Sequence, residues 1–163
     1  MEDSLEVWLG RLLVERGWTI SVAETTAGGL ICARIVSVPG SSAYLERGVV
    51  AYSKASKVEL LGGAEDALDA YGAVSEETAV ALAQGVRQVS GVTLGLAETG
   101  IAGPIRGRSP KPIGSACIAL AGPDGSQCAS FVFSGDRQHI RERIAEQALA
   151  GVVGYLESGI FCA

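Results

Sequence analysis

The residues with chemistry to offer fall in four short turns. The first lies within Ser21–Leu30, SVAETTAGGL. Ile20, Val22 and Ala23 read as the end of a buried strand, and Glu24, Thr25 and Thr26 as a sharp polar turn. Gly28 and Gly29 let the backbone come close to a partner as a helix begins. A helix start carries free N–H groups and partial positive charge, so it can receive an anion or a developing oxyanion. The hydroxyls of Thr25 and Thr26 are then candidate nucleophiles or phosphate ligands; the plainer alternative is that one of them caps the helix. The other turns are 52–57, with Tyr52, Lys54 and Lys57; 99–104, with Thr99 and Gly100; and 134–137, with Arg137.

These residue types narrow the chemistry. The chain has one histidine, His139, without a partner and just inside a predicted helix, so it reads as a surface residue and a Ser-His-Asp triad is set aside. Its four cysteines, Cys32, Cys117, Cys128 and Cys162, form no CxxC pair and no metal-ligand spacing with that histidine, so they read as small core hydrophobes, with Cys162 near the chain end. No metal and no organic cofactor is expected. The covalent option left is a hydroxyl nucleophile with a lysine base, since a desolvated lysine gives up its proton more readily. Lys57 and Lys54 both qualify by position, against the alternative of two solvated lysines on a short helix. Arg137, at a glycine turn before a helix, suits a phosphate or carboxylate gripped by two parallel hydrogen bonds, or else pairs at the surface with Asp136 or Glu142. Arg106, Arg108 and Lys111 form a basic loop, either solvated or a lid over a phosphate.

These turns need a scaffold, and the chain has the composition for one. Its 163 residues read as a single domain, 48% hydrophobic and 19% charged, long enough to bury a core. A net charge of −5 argues against a nonspecific nucleic-acid binder. No apolar run has the length of a membrane span, and the acidic start MEDSLEVW lacks the basic opening of a signal peptide, so a cytoplasmic protein with no membrane partner is expected. Leu5, Trp8, Leu9, Leu12 and Leu13 predict a helix over 4–16, with Asp3 and Glu6 as a capping box and Gly17 as the stop. Strands are predicted at 18–23, 47–53 and 92–97, and a hairpin of 113–121 with 127–133 around Gly122-Pro123-Asp124-Gly125. Helices are predicted at 27–36, 54–61 and from Ser75 to about Val89, with a final one capped by Asp136 or Ser134. Residues 62–73 read as a loop with weak helical content around 65–70. This order predicts an α/β fold: a three-layer α/β/α sandwich with a mixed sheet, its ligand at the carboxyl ends of the strands. The apolar tail Gly159–Ala163 needs burial, either folded back or in a subunit contact.

Seven segments then stand in order: AETTAGG, VPGSSAYLERGVVAYS followed by Lys57, YGAVSEE, ETGIAGP, KPIG, ALAGPDG and FSGDR. Together they resemble the CinA C-terminal domain family over Leu5–Leu156. The resemblance implies a compact α/β/α fold, a homo-oligomer, and metal-independent hydrolysis of the carboxamide of nicotinamide mononucleotide to nicotinic acid mononucleotide and ammonia. It implies Thr25 at the nucleophile position, where the family usually has serine in AESCTGG, with Thr26 and Ala27 at the next two positions. Ser42 falls on a second functional serine, Tyr52 and Lys57 on the strand-helix pair, Thr99 on the hydroxyl of the TGIAGP turn and Arg137 on the arginine of SGDR. Thr26, Gly28, Gly29, Ser42, Thr99, Gly100 and Arg137 would bind substrate, and Thr25, Lys57 and Tyr52 would act on it. N–H groups at the start of the 27–36 helix would hold the oxyanion, at about 2.7 to 4 kcal/mol per donor. The chain departs from the family at Thr25, whose extra methyl stiffens χ1, at Ala27, which lacks a hydroxyl, and at 105–112, where IRGRSPKP replaces a glycine-rich acidic loop. Those departures motivate a competing expectation: a catalytically impaired relative that binds nucleotides or holds an oligomer together.

Overall fold

The computed structural model describes residues 2–161. One sheet of five strands runs through it in the order β2-β1-β3-β4-β5. The strands are β1 (Ile20–Glu24), β2 (Leu45–Val50), β3 (Leu94–Gly100), β4 (Ser115–Gly122) and β5 (Gly125–Val132). The first three are parallel, with Ala23 of β1 opposite Val49 of β2 and Ala97 of β3, whereas β3-β4-β5 are antiparallel. The mixed sheet is covered on both faces, which makes the fold a three-layer α/β/α sandwich.

Strand alternation sorts the two cores. On one face Val22, Leu96 and Ile118 meet α1 (Leu5–Arg16), α2 (Leu30–Val36) and α6 (Arg137–Ser158) through Leu9, Leu13, Ile31, Ile35, Ile144 and Leu149. On the other, Ala23, Ala97 and Ala119 meet α3 (Lys54–Leu61), α4 (Ala64–Tyr71) and α5 (Glu76–Ser90) through Leu61, Leu68, Leu82 and Val86. The small strand residues on this second face let α5 ride close. A Cβ at Gly95 would stand 2.2 Å from the carbonyl oxygen of Ala83, so only glycine fits between strand and helix.

The helices start and stop largely for local reasons. Gly17, at φ 64°, ends α1, as its position after the last apolar turn predicts. Ser53, Ser75 and Asp136 cap α3, α5 and α6 by accepting the N–H three residues on. The expected capping box at Asp3 and Glu6 does not form. Ser4 is the N-cap residue, Asp3 pairs with Arg11 at 2.5 Å, and Glu6 pairs with Arg34 of α2, so long-range ion pairs take the acids first. Residues 64–71 make a full helix rather than a weakly helical loop, because Ala64 and Leu68 bury against the sheet-covering face and supply the stability a short helix lacks alone.

The tail folds back as far as Phe161. Its ring lies over Gly151 and its N–H donates to Oε1 of Gln127 at 2.8 Å, so intramolecular burial accounts for it; Ile160 stays exposed. Cys162 and Ala163 lie outside the described residues. Cys117 is buried, Cys32 and Cys128 are half-buried, and all three are free thiols. Among the described residues no helix is long and apolar enough to cross a membrane.

Candidate functional site

The site forms where β1 and β3 end. Both strands close on the same triplet, Ala23-Glu24-Thr25 and Ala97-Glu98-Thr99, and Ala23 pairs with Ala97. Beyond that pair the chain leaves β1 over one face through α2 and reaches β3 from the other through α3, α4 and α5. This is the topological switch point of the sheet, where open α/β folds place their ligands.

Two buried carboxylates organise the turn after β1. Glu24 accepts from the N–H groups of Gly29 (3.1 Å), Ile31 (2.9 Å) and Cys32 (3.1 Å). It therefore satisfies the start of α2, with Gly29 as the N-cap residue. Neither Thr25 nor Thr26 caps a helix, and α2 begins at Leu30 rather than at 27. Glu98 reaches across from β3, and its Oε1 accepts from the N–H of Thr25 at 2.6 Å and of Ala27 at 2.8 Å. The expectation that the helix start would receive an oxyanion is corrected accordingly: the chain's own carboxylates already occupy that positive end. Among the described residues, the N–H groups of this turn without a protein acceptor are those of Thr26 and Gly28. Arg141 of α6 fixes the turn from behind, donating to the carbonyls of Thr26 (3.0 Å) and Ala27 (2.9 Å).

The side chains of the turn face a cleft of about 560 Å³, within the range of small-molecule sites. Thr25 and Thr26 line it, with their hydroxyls donating to the carbonyls of Ala51 (3.2 Å) and Gly100 (2.9 Å). Tyr52, Lys57, Thr99, Gly100 and Arg137 line the same space. Thr99 donates to the carbonyl of Ala73 at 2.7 Å. The two lysines part company. Lys54 is exposed and paired with Asp69. Lys57 is buried, its Nζ donating to the carbonyl of Tyr52 at 2.8 Å. Burial draws the Lys57 ammonium below the ordinary lysine pKa, against the pull of Glu98 in the other direction. Arg137 donates to the carbonyl of Gly103 at 2.7 Å and, more weakly, to the Tyr52 hydroxyl at 3.4 Å, rather than pairing with Asp136 or Glu142.

Three expected substrate ligands stand elsewhere. Ser42 is exposed on the 3₁₀ turn Ser41–Ala43, which leads into β2 and so sits at the amino end of the parallel strands, the end opposite the cleft. Gly28 packs toward Arg141 and Gly29 starts α2; neither lines the cleft. Conversely, the loop bearing Arg106, Arg108 and Lys111 does line it. With Lys57 and Arg137 these make five cationic side chains and no carboxylate among the lining residues, in a chain of net charge −5. Such a lining concentrates positive potential for an anionic ligand. No three His, Cys, Asp or Glu side chains gather as a metal set among the described residues.

Sequence reasoning missed Glu98 and Arg141, and left Glu24 without a role. The repeated Ala-Glu-Thr at the end of two apolar strands was the available signal, because a carboxylate closing a buried strand requires partners. Nothing in local spacing marked Arg141.

A three-layer α/β/α protein with a cationic cleft at its switch point is the class this geometry defines. The model of the CinA C-terminal domain matches residues 2–156, and the chain belongs to that family. It is 45% identical over 159 residues to a CinA-like protein of Syntrophus aciditrophicus, covering 97% of this chain and 38% of that one. To a CinA-like protein of Geotalea uraniireducens it is 46% identical over 139 residues, covering 85% and 33%. The chain thus spans well under half the length of these relatives. Among solved structures, the competence/damage inducible protein CihA of Agrobacterium tumefaciens superimposes with a TM-score of 0.86 at 31% identity, over 97% of this chain and 98% of that one. A CinA superfamily protein of Klebsiella pneumoniae gives a TM-score of 0.90 at 26% identity, over 94% and 96%.

Proposed function

We propose that the cleft binds nicotinamide mononucleotide and hydrolyses its carboxamide to nicotinic acid mononucleotide and ammonia. The observation that carries this reading is the convergence of the Thr25 hydroxyl, the buried Lys57 amine and Arg137 on one space walled by cations. Lys57, whose burial loosens its hold on its proton, takes the proton of Thr25 when in its neutral form. The oxygen bonds to the carboxamide carbon, and the N–H of Thr26, a residue that lines the cleft, is the donor left to the oxyanion. The C–N bond then breaks as Lys57 returns the proton to nitrogen, releasing ammonia. Water cleaves the threonyl ester to free the acid and restore Thr25. Arg137 takes the phosphate, assisted by the cations of the 105–111 loop, and Tyr52, which meets Arg137, positions that guanidinium.

The test is ammonia release from nicotinamide mononucleotide by the purified protein. Release well above that of a Thr25→Ala variant is expected, and a rate rise in Thr25→Ser is expected because the Cβ methyl is removed from the attacking centre. Equal release by wild type and Thr25→Ala would refute the assignment. One observation favours a second reading, in which the cleft binds nucleotides without turnover: the Thr25 hydroxyl is engaged with the Ala51 carbonyl rather than with Lys57. Stabilisation of the fold by mononucleotides with no ammonia produced would select that reading.

A further inference from the structure

The proposed reaction makes no use of Glu98, which lies directly beneath it. This carboxyl is 0% exposed. Its Oε1 holds the N–H groups of Thr25 and Ala27, so both sides of the turn that carries the hydroxyl hang from one oxygen. Its Oε2 is buried with no hydrogen-bond partner. The charged groups facing it are Glu24 from β1 and Lys57 from α3. Arg141 of α6 reaches the same turn through its carbonyls, and β4 opposes Glu98 with Ile118. Lys57 makes no salt bridge with it; its Nζ is directed at the Tyr52 carbonyl.

We propose that Glu98 is a positioning residue of this cleft: Oε1 fixes the turn that presents Thr25, and the field of the unpartnered Oε2 governs whether Lys57 carries a proton. The second half rests on the reading of Lys57 as the base. A neutral lysine beside a protonated carboxyl has the same total charge as the ionic pair, and a dry site favours the neutral arrangement. Burial acts in that sense on both partners, pushing Glu98 up to about 7 and Lys57 down. Ionisation of Glu98 then raises the proton affinity of Lys57 and disarms it.

Glu98→Gln separates the two roles. The amide oxygen still accepts from Thr25 and Ala27, but the charge is gone. Competitive acetylation of Lys57 with acetic anhydride across pH, read by peptide mass spectrometry, reports the titration midpoint of the amine without requiring turnover. The midpoint is expected to fall by about one pH unit in Glu98→Gln, and the acid limb of kcat/KM for amide hydrolysis is expected to move with it. A purely structural Glu98 would change the melting temperature and leave that midpoint in place, which would overturn the proposal. Should Glu98→Gln fail to fold, the reciprocal measurement serves. In Lys57→Met the Glu98 carboxyl, followed by 13C NMR, is expected to titrate above its wild-type midpoint, and an unchanged midpoint would overturn the coupling. A shifted Lys57 midpoint in a protein that releases no ammonia would uphold the coupling and remove only the amidase reading.

Discussion

A buried carboxyl that keeps its proton to about 7 must leave its mark on the pH dependence of folding, and Glu98 allows the size of that mark to be worked out. In the unfolded chain it titrates near its ordinary value of 4.5. Below that value both states hold the proton and the stabilisation is fully present. As pH rises from about 4.5 to about 7, the unfolded state releases the proton while the folded state retains it, so stability falls; above about 7 the loss is complete. The separation corresponds to about 3 kcal/mol, a large part of the stability of a typical domain. Lys57 contributes in the opposite sense. Its proton affinity is lowered on folding, so its contribution grows as pH rises toward 10.5, and it cannot counterfeit a loss that begins near 4.5. Glu98→Gln removes the titration while keeping one acceptor for Thr25 and Ala27. Urea denaturation of both proteins between pH 4.5 and 8 is the assay. The wild type is expected to lose about 3 kcal/mol relative to the variant across that range, with the steepest change midway. Two stability curves that run parallel would show that Glu98 ionises on folding as it does in water, and would refute both the burial argument and the charge balance drawn from it.

Two further outcomes follow from the site. Glu24→Gln leaves an amide N–H facing the N–H of Cys32, so one charge-assisted bond at the start of α2 is lost and a donor is stranded. A loss of about 2 kcal/mol in urea-derived stability is expected. On the proposed reading, Arg137→Met is expected to weaken binding of nicotinamide mononucleotide by about 10- to 100-fold by calorimetry, the worth of charged hydrogen bonds from a guanidinium to phosphate. Nicotinamide riboside, which lacks the phosphate, should bind both proteins alike, and an equal loss for both ligands would place Arg137 outside the phosphate site.

What the residues announced in advance was whatever their near neighbours decide. The period of Leu5, Leu9, Leu12 and Leu13 makes α1, Gly17 ends it, and Ser75 and Asp136 cap where local turn chemistry says they should. Alternating strands and helices were enough for a covered mixed sheet, and turns following β1, β2 and β3 had to meet at one end of its parallel part. That is why Thr25, Lys57 and Thr99 share a cleft. The same topology places Ser42 at the other end, since a residue leading into a parallel strand lies opposite the residues that leave it. What local spacing could not show was which N–H groups were already taken. The turn at Thr25 looks like an open anion site until Glu98 arrives from 73 residues away, and the start of α2 looks open until Glu24 bends back over it. Both acids close apolar strands, and neither has an oppositely charged residue beside it in the sequence to neutralise it. A carboxylate so placed must find backbone donors or hold a proton. Glu24 does the first; Glu98 does the first with one oxygen and is poised for the second with the other. The positive end that local spacing offers a substrate is therefore consumed in building the turn, and the attraction for an anion passes to the side-chain cations across the cleft.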